Sequence, residues 1–89
     1  MAVTKTLQIK YFARFREQLN LEHELFPVSE SIETVQQLIE LLKLRGGVWQ
    51  TVFGGSQKFL CAVNQQVVKH NFPLQDNDEV AFYPPVTGG

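Results

Sequence analysis

The chain has 89 residues, of which 44% are hydrophobic and 19% are charged, and its formal net charge is -1. This length suits one domain with a single core, and the apolar fraction is too high for a disordered segment. The near-neutral charge excludes a general attraction for nucleic acid or anionic lipid, and no local basic patch replaces it.

The N-terminal segment TLQIKYFA alternates in polarity with a period of two, which predicts a half-buried strand. Leu7, Ile9 and Tyr11 fall on its inner face and Phe12 falls on the outer face. A second strand, EHELFPV, ends near Pro27 and is close enough to pair antiparallel with the first. The connection is predicted to hold a helical turn around residues 16–19.

The segment SIETVQQLIELLKLRGG, residues 31–47, predicts the main helix. Its apolar residues recur at spacings of three and four, which places them on one stripe. Ser31 is the predicted N-cap, Glu33 lies in the first turn, and Lys43 and Arg45 lie in the last. Gly46 is predicted to end the helix in a left-handed conformation.

The C-terminal half is predicted to contain three further strands, KFLCAV, QQVVK and DEVAFY, the last introduced by the turn QDND. The preceding segment VWQTVFGG fits either a short helix or a loop, with Trp49 and Phe53 capping the core. The order predicts an α+β fold, a mixed sheet packed on one main helix. A parallel pair of terminal strands would require that helix as a crossover.

Few residues have the spacing of a reactive site. His23 and His70 have no second metal ligand nearby and are predicted to be surface residues, so no metal site is expected. The carboxylates of Asp76 to Glu79 lack the pattern of a calcium loop and fit a turn. Cys61 is predicted to be a buried core residue, and its lack of a disulfide partner favours a reducing cytoplasm. Neither a signal peptide nor a membrane-spanning segment is expected.

The sequence ends in PPVTGG, residues 84–89. Two prolines cannot donate to a sheet, so the last strand should end at Tyr83 and continue as a stiff arm. We therefore predict a domain at residues 1–83 and an extended tail at 84–89, which can reach about 20 Å. Two glycines without Cβ atoms would fit a narrow tunnel. A carboxylate at Gly89 would need activation, for example by AMP, before acyl transfer. The alternative is a frayed end without function.

Three segments resemble the sulfur-carrying small subunits of molybdopterin synthase, in the MoaD/ThiS ubiquitin-like family: YFARFRE at 11–17, AVNQ at 62–65 and PLQDNDEVAFYPPVTGG at 73–89. The resemblance covers essentially the whole chain, and its terminal block is the most specific part. It implies a β-grasp, ubiquitin-like fold, in agreement with the α+β order. The internal LKLRGG at 42–47 looks like the tail of ubiquitin, but helix termination explains its glycines.

The resemblance implies a role in molybdenum cofactor biosynthesis. Gly89, preceded by Gly88, would be adenylated by a ubiquitin-activating-like adenylyltransferase that uses ATP, and then converted to a thiocarboxylate. Its sulfur would pass to cyclic pyranopterin monophosphate in the active site of the large synthase subunit. The chain would itself bind no cofactor and would be a cosubstrate, with the catalytic residues on the large subunit. Two small and two large subunits would form a heterotetramer.

Strand parity and the resemblance together predict a partner-binding surface. Phe12 and Tyr83 both lie opposite the inner faces of their strands, and the resemblance adds Val67, with Arg16 as a polar contact. The alternative is that each is an isolated exposed apolar residue, which is ordinary in proteins. In the tail, the predicted contacts are Pro84, Pro85, Val86 and Thr87.

Other functions of the same chain remain open at the level of sequence. A sulfur carrier for thiamine or tRNA thiolation, or a ubiquitin-like modifier, would use the same tail. A non-catalytic protein-binding module would use the domain and leave the glycines without a role.

Overall fold

The computed structural model describes residues 4–55 and 58–85. Within these residues the chain forms, in order, β1 (Thr4–Tyr11), α1 (Arg14–Leu19), β2 (His23–Ser29), α2 (Val35–Lys43), α3 (Val48–Gly54), β3 (Leu60–Val63), β4 (Gln66–Val68) and β5 (Glu79–Tyr83). The predicted α+β order is confirmed. The segment predicted as helix or loop is the helix α3, and α1 is the helical turn expected between the first two strands. None of the helices in the described residues is long and apolar enough to cross a bilayer.

The strands form one mixed sheet of five in the order β2-β1-β5-β3-β4. β1 and β5 are parallel neighbours, as predicted, and the other pairs are antiparallel. The hairpin between β3 and β4 turns through Asn64 and Gln65, whose φ angles are 50° and 71°. Positive φ at both positions matches the twist of the flanking strands in a two-residue hairpin. This short turn fixes β4 as one edge of the sheet.

The core lies between one face of the sheet and the helices. The inner residues of β1 are buried as the alternation predicts, with exposures of 0–1% for Leu7, Ile9 and Tyr11. The apolar stripe of α2 packs on them. Its buried members are Val35, Leu38, Ile39 and Leu42. Phe53 is buried and Trp49 packs at the margin of the core, so α3 closes one end of it.

The start of α2 differs from the prediction. Thr34, not Ser31, is the N-cap: its side chain accepts from the backbone N–H of Gln37, and the Gln37 side chain accepts in return from the backbone N–H of Thr34. This is a capping box. Ser31 instead lies in a turn after β2, and the backbone around Glu33 pairs with the loop before β5, with Leu74 donating to the Glu33 carbonyl at 2.7 Å. The prediction of Ser31 as the N-cap was wrong, because that pairing keeps the backbone around Glu33 outside the helix.

The end of α2 also differs, because Arg45 lies beyond the helix. Gly46 has a φ of 75°, as a left-handed stop requires. The Arg45 guanidinium donates two hydrogen bonds of 2.9 Å to Glu24 on β2. It stacks between the rings of Phe26 and Trp49, at 4.5 and 4.3 Å from their centroids. The LRGG segment is therefore held against the domain by its arginine.

The Glu24 carboxylate joins this network to the core, since the Tyr11 hydroxyl donates to it at 2.7 Å. Burial alone would raise the pKa of Glu24, but the hydrogen bonds from Arg45 and Tyr11 outweigh it and hold the pKa below its ordinary value. Burial, followed by the hydrogen bond to Glu24, raises the pKa of Tyr11 far above its usual range. Tyr11 therefore stays a neutral hydrogen-bond donor at physiological pH.

Asp76 and Asp78 serve the turn before β5, as predicted, whereas Glu79 is the first residue of β5 and forms an ion pair of 3.2 Å with Lys10. Asp76 accepts from the backbone N–H of Thr6 at 2.7 Å, and Asp78 accepts from a backbone N–H within the turn at 2.8 Å. A charged neighbour was not expected: Lys5 is only 4% exposed, and its Nζ donates to the Leu74 carbonyl at 3.0 Å. These contacts tie the start of β1 to the loop that leads into β5.

Candidate functional site

The predicted reactive end of the tail, Gly89 with Gly88, lies outside the described residues, and so do Val86 and Thr87. The described chain leads up to it. β5 ends at Tyr83, and Pro84 and Pro85 follow outside any strand. Any surface that delivers the tail to a partner must therefore lie around the end of β5.

The face of the sheet turned away from the helices carries an apolar surface at this position. The strand register places Ala81 of β5 opposite Ala62 of β3, and Ala62 opposite Val67 of β4. One step further along β5, Tyr83 lies opposite Leu60. All five side chains share one face, because residues directly opposite each other in a sheet project on the same side.

Phe12 completes this surface on the other side of β5. Its backbone N–H donates to the Phe82 carbonyl at 3.1 Å, which continues the parallel ladder of β1 and β5 by one residue and places Phe12 beside Tyr83. We call the resulting set the apolar patch. It consists of Phe12, Leu60, Ala62, Val67, Ala81 and Tyr83.

Exposure differs among the residues of the patch, because its two alanines are buried and its larger side chains are not. Ala62 and Ala81 are only 7% and 8% exposed although no core lies above them, whereas Phe12 is 45% and Val67 63% exposed. A partner can therefore reach the large exposed side chains of the patch, while the two alanines between them are almost inaccessible. The structure thus places three of the predicted contacts, Phe12, Val67 and Tyr83, on one face of the sheet, and Phe12 and Tyr83 lie next to the start of the tail.

Arg16 lies at the side of the patch, on α1. It lines a groove of about 350 Å³ together with other residues from the ends of β1 and the start of β2. This charged groove directly adjoins the patch, because Phe12 belongs to both. The other lining residues are Lys10, Tyr11, Glu22 and His23.

Three members of the patch were not predicted from sequence, namely Leu60, Ala62 and Ala81. The run KFLCAV, which contains Leu60 and Ala62, is apolar throughout, so its sequence alone does not distinguish an outer face. A usable signal existed in strand parity: Ala81 is two residues from Tyr83, and alternate residues share a face. Applying that rule to β3 required the register between β3 and β5, which depends on tertiary pairing.

The two histidines and the cysteine, which are isolated in sequence, are not grouped into a reactive site in the described residues either. His23 is exposed as predicted, but His70 is half-buried and stacks on Phe59 with 5.5 Å between ring centroids. Cys61 is 1% exposed, as predicted, and burial raises the pKa of its thiol to about 12. In the part of the chain that the structure describes, no group of three or more His, Cys, Asp or Glu side chains could hold a metal ion.

Known proteins resemble this chain over nearly its whole length. The model of the ThiS family matches residues 9–89. The molybdopterin synthase sulfur carrier subunit of Escherichia coli (strain K12) is 36% identical over 83 residues, which cover 93% of this chain and 99% of that protein.

Solved structures extend the likeness to the fold. A Pyrococcus furiosus protein assigned as molybdopterin converting factor, subunit 1, matches with a TM-score of 0.76 at 30% identity, over 92% of this chain and 99% of that one. The small archaeal modifier protein 1 of Haloferax volcanii matches with a TM-score of 0.74 at 20% identity, over 94% and 99%. At that identity the second match speaks only to the fold, which is the predicted ubiquitin-like β-grasp.

Proposed function

The chain belongs to the ThiS family, and from this membership we propose that it is the sulfur-carrier subunit of a molybdopterin synthase. A carrier for thiamine or tRNA thiolation is the alternative within the same chemistry. The near-complete overlap with the Escherichia coli sulfur carrier subunit favours molybdopterin as the destination here.

In this function the reactive group is the carboxylate of Gly89. A ubiquitin-activating-like enzyme joins it to AMP from ATP, with release of pyrophosphate, because a free carboxylate is a poor acceptor for a nucleophile. A sulfur donor then displaces AMP and leaves a thiocarboxylate. The large subunit supplies the catalytic residues that pass this sulfur to cyclic pyranopterin monophosphate. The small subunit contributes the tail and the surface that positions it.

The observation that carries the proposal is the position of the apolar patch. Phe12 and Tyr83 flank the point where β5 gives way to Pro84 and Pro85. A partner that covers the patch therefore also receives the start of the tail. Aromatic side chains that enter pockets of a partner dominate the binding energy of many interfaces. A partner that docks on the patch thus receives the tail in the same step.

The assembly implied by this function has two small and two large subunits, each small subunit supplying one sulfur atom of the product's dithiolene. We place it in the cytoplasm, where a buried, unpaired Cys61 stays reduced.

The test of the chemistry is the intact mass of the protein. After incubation with its matching activating enzyme, ATP and a sulfur donor, we expect the mass to change by one oxygen-to-sulfur exchange. Adding one residue after Gly89 should abolish that exchange while the circular dichroism and melting temperature stay unchanged. An unmodified mass in the wild-type protein, with an activating enzyme that is active on its own carrier, would contradict the proposal.

The destination of the sulfur needs a second assay. Thiocarboxylated carrier and the large subunit should convert cyclic pyranopterin monophosphate to molybdopterin. A carrier for thiamine or tRNA thiolation would acquire sulfur in the first assay and fail the second. A ubiquitin-like modifier would instead leave Gly89 in isopeptide linkage to lysine side chains, and a non-catalytic binding module would tolerate the added residue.

A further inference from the structure

The turn between β1 and α1 contains a strained residue. Ala13 has a φ of 54° and a ψ of -125°, and across it the backbone N–H of Phe15 donates to the Phe12 carbonyl at 3.1 Å. These angles belong to the first central position of a type II′ turn, which glycine normally occupies because a Cβ atom crowds the backbone there. Ala13 therefore adopts a conformation that costs free energy in the folded protein.

The same turn occurs a second time in this chain, with glycine at the equivalent position. Gly47, before α3, has a φ of 56° and a ψ of -128°, and the backbone N–H of Trp49 donates to the Gly46 carbonyl at 3.1 Å. A Cβ atom at Gly47 would meet no heavy atom within 4 Å, so glycine serves the backbone angles and not a close contact. Residue 13 carries a methyl group in that same conformation.

The core does not account for the methyl group of Ala13. Ala13 is exposed, and the core contact of the turn comes from Phe15, which is 0% exposed. On its other side Ala13 follows Phe12, which is 45% exposed and belongs to the apolar patch. Strained backbone conformations of this kind are concentrated at functional sites.

We infer that the methyl group of Ala13 is a contact of the large subunit and extends the apolar patch beyond Phe12. An apolar group of the partner would cover it, since a methyl group offers no polar interaction. The backbone of Phe12 is fixed from both sides, because its N–H donates to the Phe82 carbonyl and its own carbonyl accepts from Phe15. Ala13 thus has a defined place beside the patch. This inference rests on the proposed function, because it adds a contact to the interface that the function requires.

Two reciprocal substitutions test the strain. Ala13→Gly removes the crowding of the Cβ atom and should raise the melting temperature by a few degrees, although the greater freedom of glycine in the unfolded chain offsets part of the gain. Gly47→Ala introduces the same strain at the equivalent turn and should lower the melting temperature by a few degrees. An Ala13→Gly protein that melts below the wild type would overturn the inference, because no strain would then need explaining.

The affinity for the purified large subunit, measured by calorimetry, tests the contact. We expect Ala13→Gly to weaken binding about fourfold, the effect of one buried methyl group. Gly47→Ala is the matched control and should bind like the wild type, because Gly47 precedes α3 on the helix side of the sheet. Ala13→Gly would then gain stability and lose affinity, whereas a residue that only supports the fold would lose both together.

A longer side chain separates a covered methyl group from a change in the freedom of the turn. Ala13→Gln keeps the Cβ atom and its strain, so its melting temperature should stay close to that of the wild type. It should nevertheless weaken binding about tenfold or more, because the covered site has no room for the extra atoms. If Ala13→Gly or Ala13→Gln binds as tightly as the wild type, the partner does not cover Ala13 and the inference is wrong. A wild-type carrier that fails to bind the large subunit would instead contradict the proposed function.

Discussion

Replacing Arg45 by alanine should destabilise the domain, although Arg45 follows a helix end that resembles a flexible tail. The substitution removes two hydrogen bonds of 2.9 Å to Glu24 and the stacking of the guanidinium between Phe26 and Trp49. It also leaves the Glu24 carboxylate, whose side chain is only 19% exposed, without its cation. A half-buried carboxylate that loses its partner retains the cost of its desolvation.

The expected loss in the free energy of unfolding is about 2–4 kcal/mol at neutral pH. It combines about 1.5–3 kcal/mol for hydrogen bonds to a charged group with about 0.5–1 kcal/mol for each aromatic contact, reduced because the Arg45 side chain remains partly exposed. Removing one member of a fully buried pair would cost about 3–5 kcal/mol, which sets the upper limit.

The pH dependence provides an independent check. The folded-state pKa of Glu24 is lowered, so its ionisation stabilises the folded protein above the unfolded pKa of about 4.3. That contribution is lost as the pH falls through the folded pKa. The difference between wild type and Arg45→Ala should therefore be largest at neutral pH and should shrink at about pH 3.

Urea unfolding at both pH values, followed by tryptophan fluorescence and circular dichroism, measures the difference. Lys43→Ala is the control, because its ion pair with Glu40 lies on the helix surface and should contribute about 0.5 kcal/mol or less. The reasoning is refuted if Arg45→Ala costs no more than this control, or if its cost is the same at acidic and neutral pH.

Three further predictions concern the interface, the thiol and the helix cap. Phe12→Ala and Tyr83→Ala should each weaken binding to the large subunit by about tenfold to a hundredfold in calorimetry, with unchanged melting temperatures. Leu25→Ala is the control, because Leu25 is 69% exposed on β2 and lies outside the patch, and it should bind like the wild type. If Phe12→Ala and Tyr83→Ala bind as tightly as Leu25→Ala, the patch is not part of the interface. Cys61 should react with a thiol reagent far more slowly in the native protein than in urea, because burial raises its pKa to about 12. Equal rates in the native protein and in urea would mean that Cys61 on β3 is accessible to the reagent in the folded state. Thr34→Ala should lower the free energy of unfolding by about 1 kcal/mol, while Ser31→Ala should change it little. A larger loss in the free energy of unfolding for Ser31→Ala than for Thr34→Ala would instead identify Ser31 as the N-cap.

Local patterns were sufficient for most of the fold. The alternation of Leu7, Ile9 and Tyr11 predicted the inner face of β1, and the same parity placed Phe12 and Tyr83 on the opposite face. The stripe of α2 and the left-handed Gly46 were also correct. These features depend on neighbours a few residues apart, for which periodicity is a reliable guide.

The errors and omissions arose where distant segments meet. Ser31 and Thr34 are both good caps in isolation, and the pairing of Thr34 with Pro73 decides between them. Arg45 appeared to be a helix-end cation, but its partners lie on β2 and α3. Assigning the two alanines to the patch required the register of Ala62 against Ala81. Propensity and spacing contain none of this tertiary information.

The place of β5 in the sheet has a mechanical consequence. The strand that leads to the tail is not at an edge but lies between β1 and β3, with hydrogen bonds to both. A force that pulls on the tail along β5 loads these two ladders in shear, so many hydrogen bonds must yield together rather than one after another. An edge strand pulled in the same direction would be held by one ladder only. A pull on the tail is therefore resisted by both neighbouring strands before the domain behind it can open.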